Sequence, residues 1–253
     1  MFSFKNKDED PVISFIAMQP GMLGLPDILP RRSGKFSPSW WNDTPRHSNI
    51  NGELLETVRH CPSFVDYFSQ GFILPAWTDA DISYDKGIDS WKVDEPQYFG
   101  NVEKSYGWGV HPHYQFIDHV DSSFFGRSPD IVFKAESPWK IITKPGWGVL
   151  QLPLFYHFDN DFLAMPGIID TEFQHEVNIQ MLYFGDGEKI SIKRGDPLVQ
   201  YVPFKKTKPV DFEARYPNPD DLKKLDVQAA RLSSKFSMSS SYRIAQSNSK
   251  TED

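Results

Sequence analysis

The sequence predicts a mainly β protein with a long N-terminal arm and one C-terminal helix. Polar–apolar alternation recurs in short stretches, most clearly at Val177, Ile179, Met181 and Tyr183, with Glu176, Asn178 and Gln180 between them. Aromatic residues make up 15% of the 253 residues, which favours strands over helices. Twenty prolines cut the chain into short segments joined by turns and loops. Hydrophobic content of 39% is enough for a packed core, in one large domain or one and a half ordinary ones.

The formal charge of −7 disfavours a nucleic-acid or anionic-membrane partner. The single cysteine, Cys61, excludes an intrachain disulfide and a cysteine-rich zinc site, which suits a reducing compartment or an assembled particle. No apolar run has the length of a signal peptide or a membrane span, so a soluble, non-secreted protein is expected.

Residues 1–50 read as the extended N-terminal arm. After a charged start, Val12 to Ile16 is a first strand; a Pro-, Gly- and Arg-rich stretch then ends at Trp40-Trp41. These twin tryptophans either anchor the arm on the domain or meet a partner subunit. Residues 51–212 form the β-rich core. A short helix begins with Pro62 at its first position and ends at Gly71, then passes into a strand over 72–77. Cys61, at the helix entrance, reads as a structural thiol. Residues 78–100 alternate as strand, Lys86-Gly87 turn and return strand; the aspartates from Asp79 to Asp89 lack calcium-loop spacing. Strands over 131–136 and 140–143 flank Ser137-Pro138-Trp139, and a turn over 144–148 leads to a strand over 149–155.

The most informative stretch is 165–204. Two strand-like arms, joined by Gly185-Asp186-Gly187-Glu188, are expected to fold as a hairpin, and Gly195-Asp196-Pro197 breaks the second arm. Residues 213–236 form a C-terminal helix: Asn218-Pro219 starts it, Asp220 and Asp221 sit in its first turn, and Leu222, Leu225, Ala229 and Leu232 form its stripe. The serine-rich tail, 237–253, is expected to be disordered or ordered only on binding.

His111 and His113 would lie on one side of an extended strand, and such an H-x-H pair is how cupin-type sheets begin a metal site. His119, His157, Asp159 and His175 are the remaining sources of ligands. On this reading the chain is an iron-dependent oxygenase.

Within 138–204, Gly167-Ile168-Ile169-Asp170-Thr171-Glu172-Phe173 and the later Arg194-Gly195-Asp196-Pro197-Leu198-Val199-Gln200 resemble the third and fourth motifs of trimeric dUTPases and dCTP deaminases. The resemblance implies a dUTPase-like β-clip, a distorted barrel or sandwich. It places Asp170 at the carboxylate that activates water, Phe173 at the ring that stacks on deoxyribose, and Gln200 near the phosphates. Lys144-Pro145-Gly146-Trp147-Gly148 falls where the phosphate-binding motif belongs, with the Gly146 and Gly148 N–H groups as its available donors. His175 stands where the family has a small glycine, Trp147 stands near its phosphate-binding serine, and no magnesium aspartate of the first motif is evident. The whole chain also resembles a family of tailed-phage proteins, cyanophage proteins among them.

The leading expectation is therefore a phage-encoded, non-catalytic protein on a dUTPase-like fold, acting by binding or assembly. A homo-oligomer (a trimer if the resemblance extends that far) or a phage or host protein is the expected partner. The expected location is the host cytoplasm or the virion, and no cofactor is predicted. The alternative is a divergent dUTPase- or dCTP-deaminase-like enzyme, which would use Mg²⁺; the cupin-like oxygenase would use Fe.

Overall fold

Short alternating segments become paired strands along most of the chain. The computed structural model describes residues 11–85, 90–94, 106–119, 131–184, 189–208 and 210–233. The Lys86-Gly87 turn, the Gly185 to Glu188 turn and the tail over 237–253 lie outside the described residues.

The elements follow in chain order. Strands β1 (Ile13–Ala17) and β2 (Arg31–Arg32) precede helix α1 (Ser39–Asp43), strands β3 (His47–Ile50) and β4 (Glu53–Glu56), and helix α2 (Pro62–Ser69). Then come β5 (Phe72–Pro75), β6 (Ala80–Asp85), β7 (Ser90–Asp94), β8 (Trp108–Val110) and β9 (Ile131–Thr143). They are followed by β10 (Trp147–Leu152), β11 (Phe162–Ala164), β12 (Gly167–Ile169) and β13 (Glu176–Tyr183). Strands β14 (Lys189–Ile192) and β15 (Pro197–Lys205) and helix α3 (Pro219–Ser233) complete the order. The protein is mainly β, with one C-terminal helix inside the 213–236 window.

The chain divides into two compact units, the described residues of Met1–Phe36 with Gly71–Thr207, and those of Ser37–Gln70 with Lys208–Asp253. In the first unit one sheet runs β1-β9-β13-β11, with β8 also on β9; a second runs β12-β10-β15-β5-β2; a third runs β14-β6-β7. All their pairings are antiparallel. The inward rows of the three sheets meet in one core. Phe133, Ile179 and Met181 come from the first sheet, Leu74, Val199 and Tyr201 from the second, and Ile82 and Ile192 from the third. Burial of these rows removes apolar surface from water and is the main force holding the sheets together.

Several expectations change at this level. The two arms of 165–204 do not pair with each other: β13 joins β9 and β11, β14 joins β6, and β15 joins β10 and β5. Both edges of β13 are already taken, so no ladder is left to hold β14 beside it. The segments flanking Pro138 form one strand, β9. The register shift between Glu176 and Asn178 falls opposite Ser137–Trp139, and the Pro138 carbonyl accepts the Met18 N–H at 2.9 Å on the other edge. The arm over 1–50 is only partly an arm. Its Ile13–Ala17 pairs along β9, and Arg31–Arg32 pairs with β5, because both find open strand edges.

In the second unit Trp41 is buried, tilted against Phe68 and stacked on Phe64, with the Arg59 guanidinium over its ring. Trp40 meets Trp41 and Phe68 edge-on. Pro62 is the first residue of α2, where its missing N–H costs nothing, and half-buried Cys61 caps it without a side-chain bond. Gly71, the first residue of the returning first unit, has φ +64°.

Candidate functional site

Asp170 follows β12 and opens a tight turn. Its carbonyl accepts the N–H groups of Phe173 and Gln174, and its carboxylate accepts the Glu172 N–H at 3.2 Å. Short aspartates favour this local bonding. Thr171 pins the turn to the fold: fully buried, its hydroxyl lies 2.6 Å from that of Thr143, which donates to the Trp147 carbonyl.

The turn over 144–148 approaches from the other side. Pro145 presets its second position, Gly146 takes φ +79°, and Trp147 N–H closes it on the Lys144 carbonyl. Its Gly146 N–H donates to Glu172, and its Gly146 carbonyl accepts the Lys206 N–H at 2.8 Å. Lys206, one residue beyond β15, then donates to Asp170 at 2.7 Å and lies 3.2 Å from Glu172. The Lys206 ammonium is 5.8 Å from the centre of the Phe173 ring, which is 83% exposed.

The structure brings Asp170, Phe173 and Gly146 to one place, and beside them stand Glu172 and Lys206, which motif reasoning missed. Lys206 lies outside both motifs, and the β10–β15 register, which pairs Trp147 with Lys205, brings it here. Gly148 is adjacent but buried under Phe204; a Cβ there would sit 3.0 Å from that ring. Gln200 is elsewhere: it is buried within β15, whose neighbours are Leu152 of β10 and Ile73 of β5.

The electrostatics follow from these contacts. The Lys206 hydrogen bond holds the Asp170 carboxyl below the usual carboxylate range, against a smaller opposing effect of desolvation, and the Glu172 N–H adds to the lowering. Asp170 in turn raises Lys206, with Glu172 contributing. A general base works best with a pKa near the operating pH, and Asp170 is displaced the other way. Asp170 and Glu172 share the Lys206 ammonium, so that charge is already engaged by two carboxylates. The Gly146 N–H, one of the two donors available to phosphate, is already committed to Glu172.

A second place of chemical interest lies beside β8. A cavity of about 400 Å³ is lined in part by Trp108, His111, Gln115, Lys134 and Glu136, a size suited to a small ligand. β8 stops at Val110 and His113 begins a short 3-10 turn, so the H-x-H pair does not occupy one extended strand. His111 Nδ1 lies 2.7 Å from Gln115 Oε1, which accepts its proton, while the buried Nε2 has no hydrogen-bond partner among the described residues. Lys134 and Glu136 form a 2.6 Å ion pair on β9. Of the other histidines, His119 bonds the Tyr114 carbonyl and His175 that of Ile141. Burial lowers the His157 pKa, against the pull of Asp159 and a bond to the Phe36 backbone. Among the described residues none of these joins a close group of three or more metal-ligating side chains; that arrangement occurs only at His47, Glu56 and His60.

No protein-family model matches the sequence, and comparison with curated proteins finds no match. Among solved structures, the chain is similar to a native dUTPase of EIAV, with TM-score 0.31 and 12% identity over 59% of this chain and 86% of that one. It is also similar to a mutant dUTPase from phage phi11 of S. aureus, with TM-score 0.27 and 13% identity over 35% of this chain and 74% of that one. Both likenesses are weak and decide nothing about the chemistry of the Asp170 turn. No helix among the described residues is long and apolar enough to cross a membrane.

Proposed function

We propose that the protein works by binding and assembly, without turnover, as a phage-encoded component on a dUTPase-like β-fold in the host cytoplasm or the virion. The observation that carries this reading is the run around the start of α3. Val210, Phe212 and Tyr216 are 83%, 93% and 95% exposed, and Leu222 and Leu225 are 49% and 56% exposed. Large apolar side chains concentrated in one short segment mark a contact surface. The Asp170 turn supports the same reading, since its carboxylate and the nearest backbone donor are occupied by Lys206 and Glu172.

Light scattering of the full chain tests this. A homo-oligomer, a trimer if the motif resemblance extends to assembly, is expected, and Phe212→Ser with Leu225→Ser should release monomers that keep their circular dichroism. A strictly monomeric full chain would sink self-assembly.

One observation favours an enzyme of the dUTPase or dCTP deaminase class: Asp170, Phe173 and Gly146 do meet at one place. Release of pyrophosphate from dUTP with Mg²⁺, abolished by Asp170→Asn, would establish that reading and overturn ours.

A further inference from the structure

We propose that His47, Glu56 and His60 bind one divalent ion of the zinc class and that this ion staples the β3–β4 hairpin to the turn preceding α2. The placement follows from the sequence. Asn51-Gly52 is a two-residue hairpin turn with both residues at positive φ, 53° and 91°. It sets the register Ile50↔Glu53 through His47↔Glu56. Thr57 N–H then donates to the Arg46 carbonyl at 3.0 Å, closing the next pair. His47 and Glu56 consequently oppose each other at a non-hydrogen-bonded position, where cross-strand side chains lie closest. The chain next forms a 3-10 turn at Val58–His60, started by the Thr57 hydroxyl, which accepts the Arg59 N–H. That turn swings His60 back over the pair. One ligand atom from each of the three residues lies within 4.8 Å of the others.

The donor set is chemically apt. Two neutral imidazoles and a carboxylate suit zinc-class ions, and three protein ligands leave a position for water. His60 also supplies an unexplained polar group. It is buried, its Nε2 has no hydrogen-bond partner among the described residues, and its Nδ1 lies 3.6 Å from Glu56 Oε1, too far for a hydrogen bond. The His47 ring lies 4.8 Å from the His60 ring, centre to centre, close enough for both imidazoles to reach one ion.

The hairpin has a use for such an ion. Every residue of β4 is exposed, including Leu54 at 72%, and among the described residues β3 and β4 pair only with each other. A two-stranded hairpin without a covered face is marginal in water. Coordination from β3, β4 and the following turn would tie all three together.

The test is titration of the purified full chain with Co²⁺ alone, read by the visible d–d bands of a tetrahedral site, followed by displacement with Zn²⁺. One equivalent should bind, Zn²⁺ should bleach the bands, and the melting temperature should rise with Zn²⁺ but not with Mg²⁺. His47→Ala and Glu56→Gln, both at exposed positions, should keep the circular dichroism of the parent. Each should weaken Co²⁺ binding by more than about 100-fold, the upper end of what loss of a mere outer-shell partner costs. His111→Ala should leave binding unchanged. The proposal is overturned by absence of stoichiometric Co²⁺ binding, by binding that survives both substitutions, or by binding lost in His111→Ala.

Discussion

At the residue scale, Asp170 and Lys206 define what the motif-bearing turn can do. Their pairing makes a prediction with a definite sign. Asp170 is held below its ordinary pKa of about 3.9 in the fold, so the pair stabilises the protein above that pH and the effect is lost as pH falls below it. Lys206 is raised, so its share is present below its ordinary value of about 10.4 and fades as pH climbs past it. Asp170→Asn should therefore melt slightly below the parent between pH 5 and 9, and the gap should close in more acidic solution. Paired thermal melts across pH check this. A gap that widens below pH 4 would show that Asp170 is not held charged by Lys206. Both side chains are substantially solvent-exposed, so the gap should also shrink with added salt. Motif reading found Asp170 because its residue type and neighbours are local. It missed Lys206, whose role depends on a partner 36 residues away.

At the scale of elements, punctuation residues were the most legible. Pro62 starts α2 and Asn218-Pro219 precedes or opens α3, because missing N–H groups and fixed φ act locally. Gly71 shows how much one such position carries. Its φ is +64°, and a Cβ there would lie 2.2 Å from the Tyr201 carbonyl oxygen, with backbone that has no room to withdraw. Gly71→Ala should cost more than about 2 kcal/mol, the strain of a left-handed non-glycine residue plus displacement of β15. Chemical denaturation measures it; a cost below 0.5 kcal/mol would mean that β5 and β15 separate freely there. The failed hairpin between the arms of 165–204 shows the opposite case. Alternation tells which face of β13 is buried but does not say which strand lies beside it. The Asn51-Gly52 turn was missed: the sequence reading ends the arm at residue 50, yet the chain turns a hairpin there that pairs His47 with Glu56.

At the scale of the whole molecule, composition and alternation carried the mainly β class but not the assignment of strands to three sheets. That assignment is non-local: β5, β6, β10, β14 and β15 read alike as short apolar segments, and only simultaneous burial sorts them. The consequence is a core shared by sheets with no ladder between them. Ile179 of β13 is fully buried in the same cluster as Leu74 of β5, Ile82 of β6 and Val199 of β15. Ile179→Ala should cost about 2–5 kcal/mol and Ile179→Val about 0.5–1.5 kcal/mol, the range for cavities of those sizes. The sharper readout is where the loss appears. If the three sheets unfold around one core, amide hydrogen exchange in Ile179→Ala should accelerate together in β13, β15 and β6. Acceleration confined to β13 and β9 would show that the first sheet opens alone and that the shared cluster does not couple the sheets.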